Sequence, residues 1–423
     1  MRTSVFKNIF DVFVIVIVLT YQLSMLTVWT VDMCFGNLYE ICIAIFMFAS
    51  FIFRFGLQKI KLPHIENPYL LRFLFIIYIV DIIQNIIQFH ATAFPRFMVL
   101  ITIYFFANYL LRLALENTNQ INIKTVVKPY MYYSLYNVFT VIIAAILIVV
   151  GILNPFSNSV SDNSLLSNHT IHGYSHFFPG YLTMSSQIYR VVPEIPVLTG
   201  LSHEPHVLCF LIMPALFFAQ LFIKKNYQRG IIYVLFGVLS VISMSTTAIL
   251  ILIPLIVHES IWRIVISKKY STIIIVLLTV FLMFNYGSSL INMVSAEVKT
   301  KTVDNTESKE VSEGLLEYVY SPVSLIGDGN LRTQEVGGNI GLVTCLLDIF
   351  FYFLLLFKAV KLSISSDYIV HYCGMGALYF SLHSLKIGYM IFRYPYLSFM
   401  VILIYLACER RNLIKYKLAQ SLH

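Results

Sequence analysis

The chain has 423 residues, of which 58% are hydrophobic and 12% charged, with a formal net charge of +8 at pH 7. An ordinary soluble domain is about half apolar and about a quarter charged, so this composition excludes a soluble protein, a disordered chain and a disulfide-rich secreted scaffold. What remains is a polytopic membrane protein. Lys and Arg lie in small groups between apolar runs, as expected of cations that orient membrane helices, and do not indicate a nucleic-acid partner.

The apolar runs predict an all-α integral membrane domain over 1–423, because a helix needs about 20 apolar residues to cross the membrane. The twelve predicted spans are 9–30, 38–55, 69–89, 97–115, 131–153, 206–223, 230–242, 246–259, 272–289, 338–357, 368–386 and 395–408. The first is interpreted as a retained span and not as a removed signal peptide. The stretch 230–259 could also be one long helix, but two helices keep the cations after it on the cytoplasmic side.

With twelve spans, most of the 29 Lys and Arg side chains fall on one side, which the positive-inside rule assigns to the cytoplasm together with both termini. The short spans around Ser243 and Thr247 suggest helices that meet in a hairpin inside the outer leaflet. Two long segments, 154–205 and 290–337, are the first and second large loops, and both lie on the opposite face. Within the second, 311–320 could form a short amphipathic helix.

No nucleotide, dinucleotide or metal-binding motif is present, and the cysteines show no ligand spacing. We therefore expect no cofactor and no metal. A reaction on the outer face would need a substrate that is already activated and is delivered within the membrane.

Cations predicted on the outer face are candidates for a site, because topology selects against them there. Those near span ends are Arg96, Arg190, Arg332, Lys386 and Arg393. Arginine can hold phosphate oxygens through two parallel hydrogen bonds. The structural alternative is contact with lipid headgroups or a salt bridge to an acid, with Glu194, Glu335 and Asp328 as the acids considered.

A second candidate is Glu204, which lies directly before Pro205 and a long apolar span. Its carboxylate could act on a substrate hydroxyl at the bilayer surface, and the flanking His203 and His206 could serve as bases or hydrogen-bond partners. A carboxylate before a helical proline is also a good helix N-terminal residue, so a purely structural role explains much of the pattern.

Polar residues also lie inside a predicted span, on one helical stripe: Asp81, Gln84, Asn85 and Gln88. Such a stripe must face the interior of the bundle, and hydrogen bonding between helices is the favoured interpretation.

Three segments resemble a known family: Gly200-Leu-Ser-His-Glu-Pro-His-Val-Leu-Cys-Phe210, Leu239-Ser-Val-Ile-Ser-Met-Ser-Thr-Thr-Ala248, and Ile326-Gly-Asp-Gly-Asn330 followed by Gly337-Gly-Asn-Ile-Gly341. Their order, with twelve spans and two large outer loops, resembles the Wzy-type O-antigen polymerases and more loosely the superfamily that includes O-antigen ligases. The resemblance covers almost the whole chain.

The resemblance implies a GT-C-like membrane glycosyltransferase of the bacterial inner membrane. It would join undecaprenyl-diphosphate-linked oligosaccharides at the periplasmic face, with a separate chain-length regulator as a further partner. The expected roles are Glu204 as base, assisted by His203 or His206, and Arg190 with Arg332 as diphosphate ligands. Arg393 and Arg96 are the next choices as ligands. First-loop aromatic residues, Tyr189 among them, could stack on sugars or anchor the loop at the interface.

Three other functions stay open. An O-antigen ligase would share the loop plan and pass finished polymer to a lipid A core. A flippase for the lipid-linked unit would suit twelve spans with polar residues inside them, but no internal repeat is found and the long loops favour an enzyme. A passive membrane scaffold would need none of the outer arginines.

Overall fold

The structure is a computed structural model that describes part of the chain. The described residues are 2–20, 38–63, 68–87, 93–116, 121–154, 157–162, 171–177, 182–185, 198, 200, 205–243, 245–265, 342–387 and 395–421. The helices of this part are α1 (Arg2–Thr20), α2 (Leu38–Phe55), α3 (Tyr69–Ile87), α4 (Ala93–Leu115), α5 (Ile123–Val149), α6 (Pro205–Ile212), α7 (Pro214–Ala219), α8 (Asn226–Ile242), α9 (Thr246–Val265), α10 (Leu342–Ser363), α11 (Tyr368–Ile387) and α12 (Pro395–Ser421).

The described chain is mainly helical, as predicted. Within it, four helices are long and apolar enough to cross a membrane, namely α3, α4, α5 and α9 from Thr247 onward. Eleven of the twelve predicted spans overlap described helices, whereas 272–289 and the segment 311–320 lie outside the described residues. The number of spans and the GT-C-like fold stay predictions.

The predicted span 206–223 is divided in the structure. Two short helices, α6 and α7, replace it, and they meet at Met213. Pro214 is the physical reason, because proline has no N–H for the preceding turn and its ring clashes with the carbonyl four residues earlier. The run from Val207 to Leu221 is nevertheless buried, and every residue of α7 lies inside the protein.

The prediction of two helices within 230–259 is confirmed. The chain turns between α8, which ends at Ile242, and α9, which begins at Thr246. The tip of this hairpin is inside the protein, since Ser243 and Ser245 are buried. The Ser245 hydroxyl accepts a hydrogen bond from the Ala248 N–H and so caps the start of α9.

The first large loop contains regular structure that the sequence did not predict. Three antiparallel strands, Ser157–Asp162 (β1), Ile171–Phe177 (β2) and Leu182–Ser185 (β3), form a sheet in the order β1-β2-β3. The register pairs Ser157 with His176 and Tyr174 with Ser185. Part of this loop is therefore β-structure, whereas the sequence analysis assigned it no regular elements.

Close packing between helices depends on glycines in α11. A Cβ at Gly374 would lie 2.3 Å from the Ser363 backbone nitrogen, and one at Gly376 would lie 2.2 Å from the Phe218 ring. Small residues let membrane helices approach closely. In contrast, a Cβ at Gly237 in α8 would meet nothing within 4 Å.

Charged residues gather where one set of helix ends meets, which we call the basic end. There Arg54, at the end of α2, donates to Asp11 of α1 (Nε to Oδ1, 3.0 Å) and to Glu116 after α4 (Nη2 to Oε2, 2.6 Å). Tyr109 also donates to Asp11, at 2.5 Å. The hydrogen bonds from Arg54 lower the pKa of the Glu116 carboxyl.

Other helices meet at the same end. Lys124, near the start of α5, lies 5.8 Å from the Phe222 ring just after α7, and Lys358 of α10 lies 5.1 Å from the Tyr69 ring at the start of α3. Arg410 of α12 binds Asp367 just before α11 (Nε to Oδ1, 3.2 Å). The helices therefore alternate in direction, with the described cations of the predicted inner segments at one end, although no membrane is present to assign that end to the cytoplasm.

A second buried charge network lies at the basic end, between α8, α9 and α11. Glu259, which is 2% exposed, accepts hydrogen bonds from Arg263, Tyr372 and Tyr233. Tyr233 lies on α8 and Tyr372 on α11, whereas Arg263 lies on α9 together with Glu259. The carboxylate therefore stays fully paired only while α8 and α11 remain in place. This network therefore ties the α8–α9 hairpin to α11, because a buried charge that loses its partner is costly.

Candidate functional site

Most of the predicted site residues lie outside the described residues. These are Tyr189, Arg190, His203, Glu204, Arg332 and Arg393. The backbone of His206 is described as the second residue of α6, and Lys386 lies in α11, but their side chains are not described. Arg96 is therefore the member of the predicted set whose side-chain contacts the structure describes.

Arg96, near the start of α4, lies beside a buried acid. Its Nη1 is 3.8 Å from Oδ2 of Asp81 on α3, and the two side chains are 16% and 6% exposed. The structural alternative, an ion pair, thus applies to Arg96, with Asp81 as partner in place of the three acids considered from the sequence. A guanidinium with an internal counter-ion attracts a substrate diphosphate less strongly, so Arg96 ranks below the other arginines as a ligand.

The predicted polar stripe on α3 faces the interior, which confirms that part of the prediction. Asp81, Gln84 and Asn85 are all buried, and Gln88 lies outside the described residues. The Asn85 amide donates to the Asp81 carbonyl oxygen at 2.8 Å. The stripe and Arg96 together form a buried polar contact between α3 and α4.

Gly200, the first residue of the first motif, packs against α5 and α6. This residue has φ +60°, a left-handed conformation that glycine adopts without steric cost. A Cβ there would lie 2.9 Å from the Leu208 side chain, 3.3 Å from Val141 and 3.5 Å from the Asn137 side-chain oxygen. The motif glycine is thus required by both its backbone conformation and its close approach to two helices.

The break between α6 and α7 leaves polar backbone inside the bundle. Pro214 cannot donate to the Phe210 carbonyl, so this oxygen lacks its usual helical partner. Tyr396, at the start of α12, donates to the Phe210 oxygen at 3.1 Å. Tyr130 of α5 donates to the Leu211 carbonyl, and the two hydroxyls lie 3.1 Å apart. Two tyrosines from other helices therefore satisfy the broken helix, as a membrane interior requires.

Further polar groups surround α6 between the hairpin tip and α11. The Cys209 sulfur lies 3.0 Å from the Ser243 hydroxyl, and Tyr379 contacts the Cys209 carbonyl at 3.5 Å. The Tyr379 hydroxyl is also 2.8 Å from Nδ1 of His383. All these side chains are buried, and their polar atoms contact one another or the backbone of α6. These contacts hold α6 against the hairpin tip and α11.

The described groups do not form a metal site. Within the described residues, no group of three His, Cys, Asp or Glu could hold a metal ion, and the described cysteines, Cys42, Cys209, Cys373 and Cys408, are free thiols.

The tyrosines, Asn137 and His383 were not predicted as part of a site. Pro214 inside an apolar run was a usable signal, because a proline at membrane depth implies that another group must satisfy the freed carbonyl. The sequence does not show which group satisfies that carbonyl, since Tyr396 is 186 residues away from Phe210.

These features define the class as a helical protein with several helices fit to cross a membrane and with a further apolar segment, α6–α7, that is broken at Met213 and held by buried tyrosines. No protein-family model, curated protein or solved structure matches the chain.

Proposed function

We propose that the protein is a glycosyltransferase that polymerises undecaprenyl-diphosphate-linked oligosaccharide units at the periplasmic face of the bacterial inner membrane. One observation supports it. Tyr396, three residues after Arg393, hydrogen-bonds to α6, whose first residue follows Glu204. The helices next to a predicted base and a predicted phosphate ligand are thus joined directly.

In the proposed reaction, Glu204 removes the proton from an acceptor sugar hydroxyl, assisted by His203 or His206. The hydroxyl oxygen bonds to the anomeric carbon of the donor glycan. The bond from that carbon to the diphosphate oxygen breaks, and undecaprenyl diphosphate leaves with the electron pair.

Arg190, Arg332 and Arg393 would stabilise the charge that develops on the leaving diphosphate. Holding two lipid-linked substrates side by side contributes through proximity. Because diphosphate is a good leaving group, the scheme needs no cofactor. A chain-length regulator and membrane lipid are the proposed partners.

The test is polymer formation by the purified full chain in proteoliposomes supplied with lipid-linked repeat units. Glu204→Gln is expected to reduce chain extension by about 10²- to 10⁴-fold, the usual contribution of a general base. Arg393→Gln is expected to reduce it by weakening the grip on diphosphate. Lys225→Gln, which removes an exposed cation near the start of α8, is the matched control and should polymerise normally.

Two results would contradict this proposal. Normal extension by a correctly inserted Glu204→Gln variant would refute the assignment of the base. If the wild-type chain makes no polymer but adds preformed polymer to a lipid A core, the protein is a ligase.

A flippase is a second candidate, favoured by the break between α6 and α7. Discontinuous helices at membrane depth are typical of transporter binding sites. In the same vesicles, transfer of a fluorescent lipid-linked unit between leaflets without chain extension would support the flippase. Extension without transfer would support the enzyme.

A further inference from the structure

Cations at the basic end form a cluster between α3, α10 and α12. Arg72 and Lys361 are exposed, and Lys358 lies 5.1 Å from the ring of Tyr69. Arg411 donates to the Lys361 carbonyl oxygen at 3.1 Å, which joins α12 to the end of α10. We call Arg72, Lys358, Lys361 and Arg411 the basic cluster.

The cluster has a net positive charge in its described surroundings. Lys358, Lys361 and Arg411 all act electrostatically on the Cys408 thiol, and so does Glu409, the acid next to it. Asp367, a further acid next to the ends of α10 and α12, is already paired with Arg410. Four cations beside one acid, Glu409, leave an excess of positive charge that an anion would neutralise.

An apolar surface continues from the cluster along the same helices. Phe353 and Phe357 of α10 are 59% and 61% exposed, and Ile76 of α3 is 45% exposed. The two helices pack against each other through Phe73, which contacts Phe350 and Phe351 with ring centroids 5.4 and 5.9 Å apart. Cations at one end of an exposed apolar strip match the charged headgroup and the acyl chains of a phospholipid.

We propose that the basic cluster binds the phosphate headgroup of an anionic phospholipid, whose acyl chains lie along the exposed faces of α3 and α10. Lys and Arg next to membrane helices attract anionic lipids of the adjoining leaflet. Tyr69, 38% exposed beside Lys358, is the kind of aromatic residue found at the headgroup level. This site is at the opposite end of the bundle from Pro205 and does not depend on the proposed function.

The test is binding of fluorescent phosphatidylglycerol to the purified full chain in neutral detergent, with phosphatidylcholine as the uncharged comparison. The double variant Arg72→Gln/Lys361→Gln should bind phosphatidylglycerol about 30-fold more weakly, since each cation near the surface contributes about a fivefold effect. Its matched control is Lys224→Gln/Lys225→Gln, which removes the same charge from exposed positions beside α7 and α8 and should bind as the wild type does.

The two pairs are exposed, so neither variant removes a packed core residue. Equal weakening in both double variants would show a general charge effect and overturn the proposal. Unchanged binding in the Arg72→Gln/Lys361→Gln variant would also overturn it, as would equal binding of phosphatidylcholine. Complete displacement by millimolar inorganic phosphate would identify a free-phosphate site and would contradict the role of the acyl chains.

Discussion

Arg54 is expected to be the most sensitive charged residue at the basic end, because it holds two carboxylates of very different exposure. Its side chain is 7% exposed, that of Asp11 is 9% exposed and that of Glu116 is 41% exposed. Arg54→Met keeps most of the side-chain volume and removes the charge. The Asp11 carboxylate then stays buried, with Tyr109 as its remaining described hydrogen-bond donor.

The magnitude follows from burial. Removing one partner of a buried ion pair costs about 3–5 kcal/mol, so Arg54→Met should lower the free energy of unfolding by roughly this amount. Glu116→Gln removes only the more exposed ion pair of the same arginine and should cost about 0.2–1 kcal/mol. Adding Asp11→Asn to Arg54→Met removes the unpaired charge and should recover part of the loss, because the two residues share one network.

The assay is unfolding of the purified chain in detergent, followed by far-UV circular dichroism, at constant pH and salt. Equal losses for Arg54→Met and Glu116→Gln would refute the reasoning from burial, and so would a loss below about 1 kcal/mol for Arg54→Met. A pH series gives an independent check. Because the folded pKa of Glu116 is lowered, its contribution is complete above the unfolded value of about 4.3 and is lost as the pH falls through the folded value.

Three further predictions concern packing and backbone. Gly376→Ala should destabilise the protein by about 1–3 kcal/mol, since the alanine Cβ would overlap the Phe218 ring. Gly237→Ala should instead be neutral or stabilise the protein by up to about 1 kcal/mol. Thermal unfolding of the two variants tests the difference. Tyr396→Phe should cost about 1–3 kcal/mol by leaving the Phe210 carbonyl without that donor, and unfolding of single and double variants with Tyr130→Phe should be non-additive. Gly200→Ala should cost at least about 1–2 kcal/mol from its left-handed backbone, and faster limited proteolysis of the first large loop would reveal it.

Several features were predictable because they are local. Run length and apolar content identified the helices, and the alternation of charge correctly favoured a turn near Ser243 over one long helix. The stripe of Asp81, Gln84 and Asn85 was correctly predicted to face inward, because polar side chains in a membrane span must avoid lipid. These conclusions need only the order of residues along one helix.

Other features were not predictable, although parts of their signals were present. Pro214 lies inside the run 206–223, but the predicted span was not divided there. Strand β1 is mostly polar, and β3 has only four residues, so the alternating apolar pattern that indicates a half-buried strand is absent or too short to stand out. Asp81 was seen as part of a stripe and Arg96 as an outer cation, and their ion pair depends on how α3 packs against α4.

The sequence by itself therefore determined the class of the molecule, the positions of most helices and the inward face of the polar stripe. Only the tertiary structure decided which groups satisfy the broken helix and which acids hold the arginines. The physical reason is distance along the chain. Hydropathy and periodicity act over a few turns, whereas the hydroxyls of Tyr130 and Tyr396 meet across 266 residues.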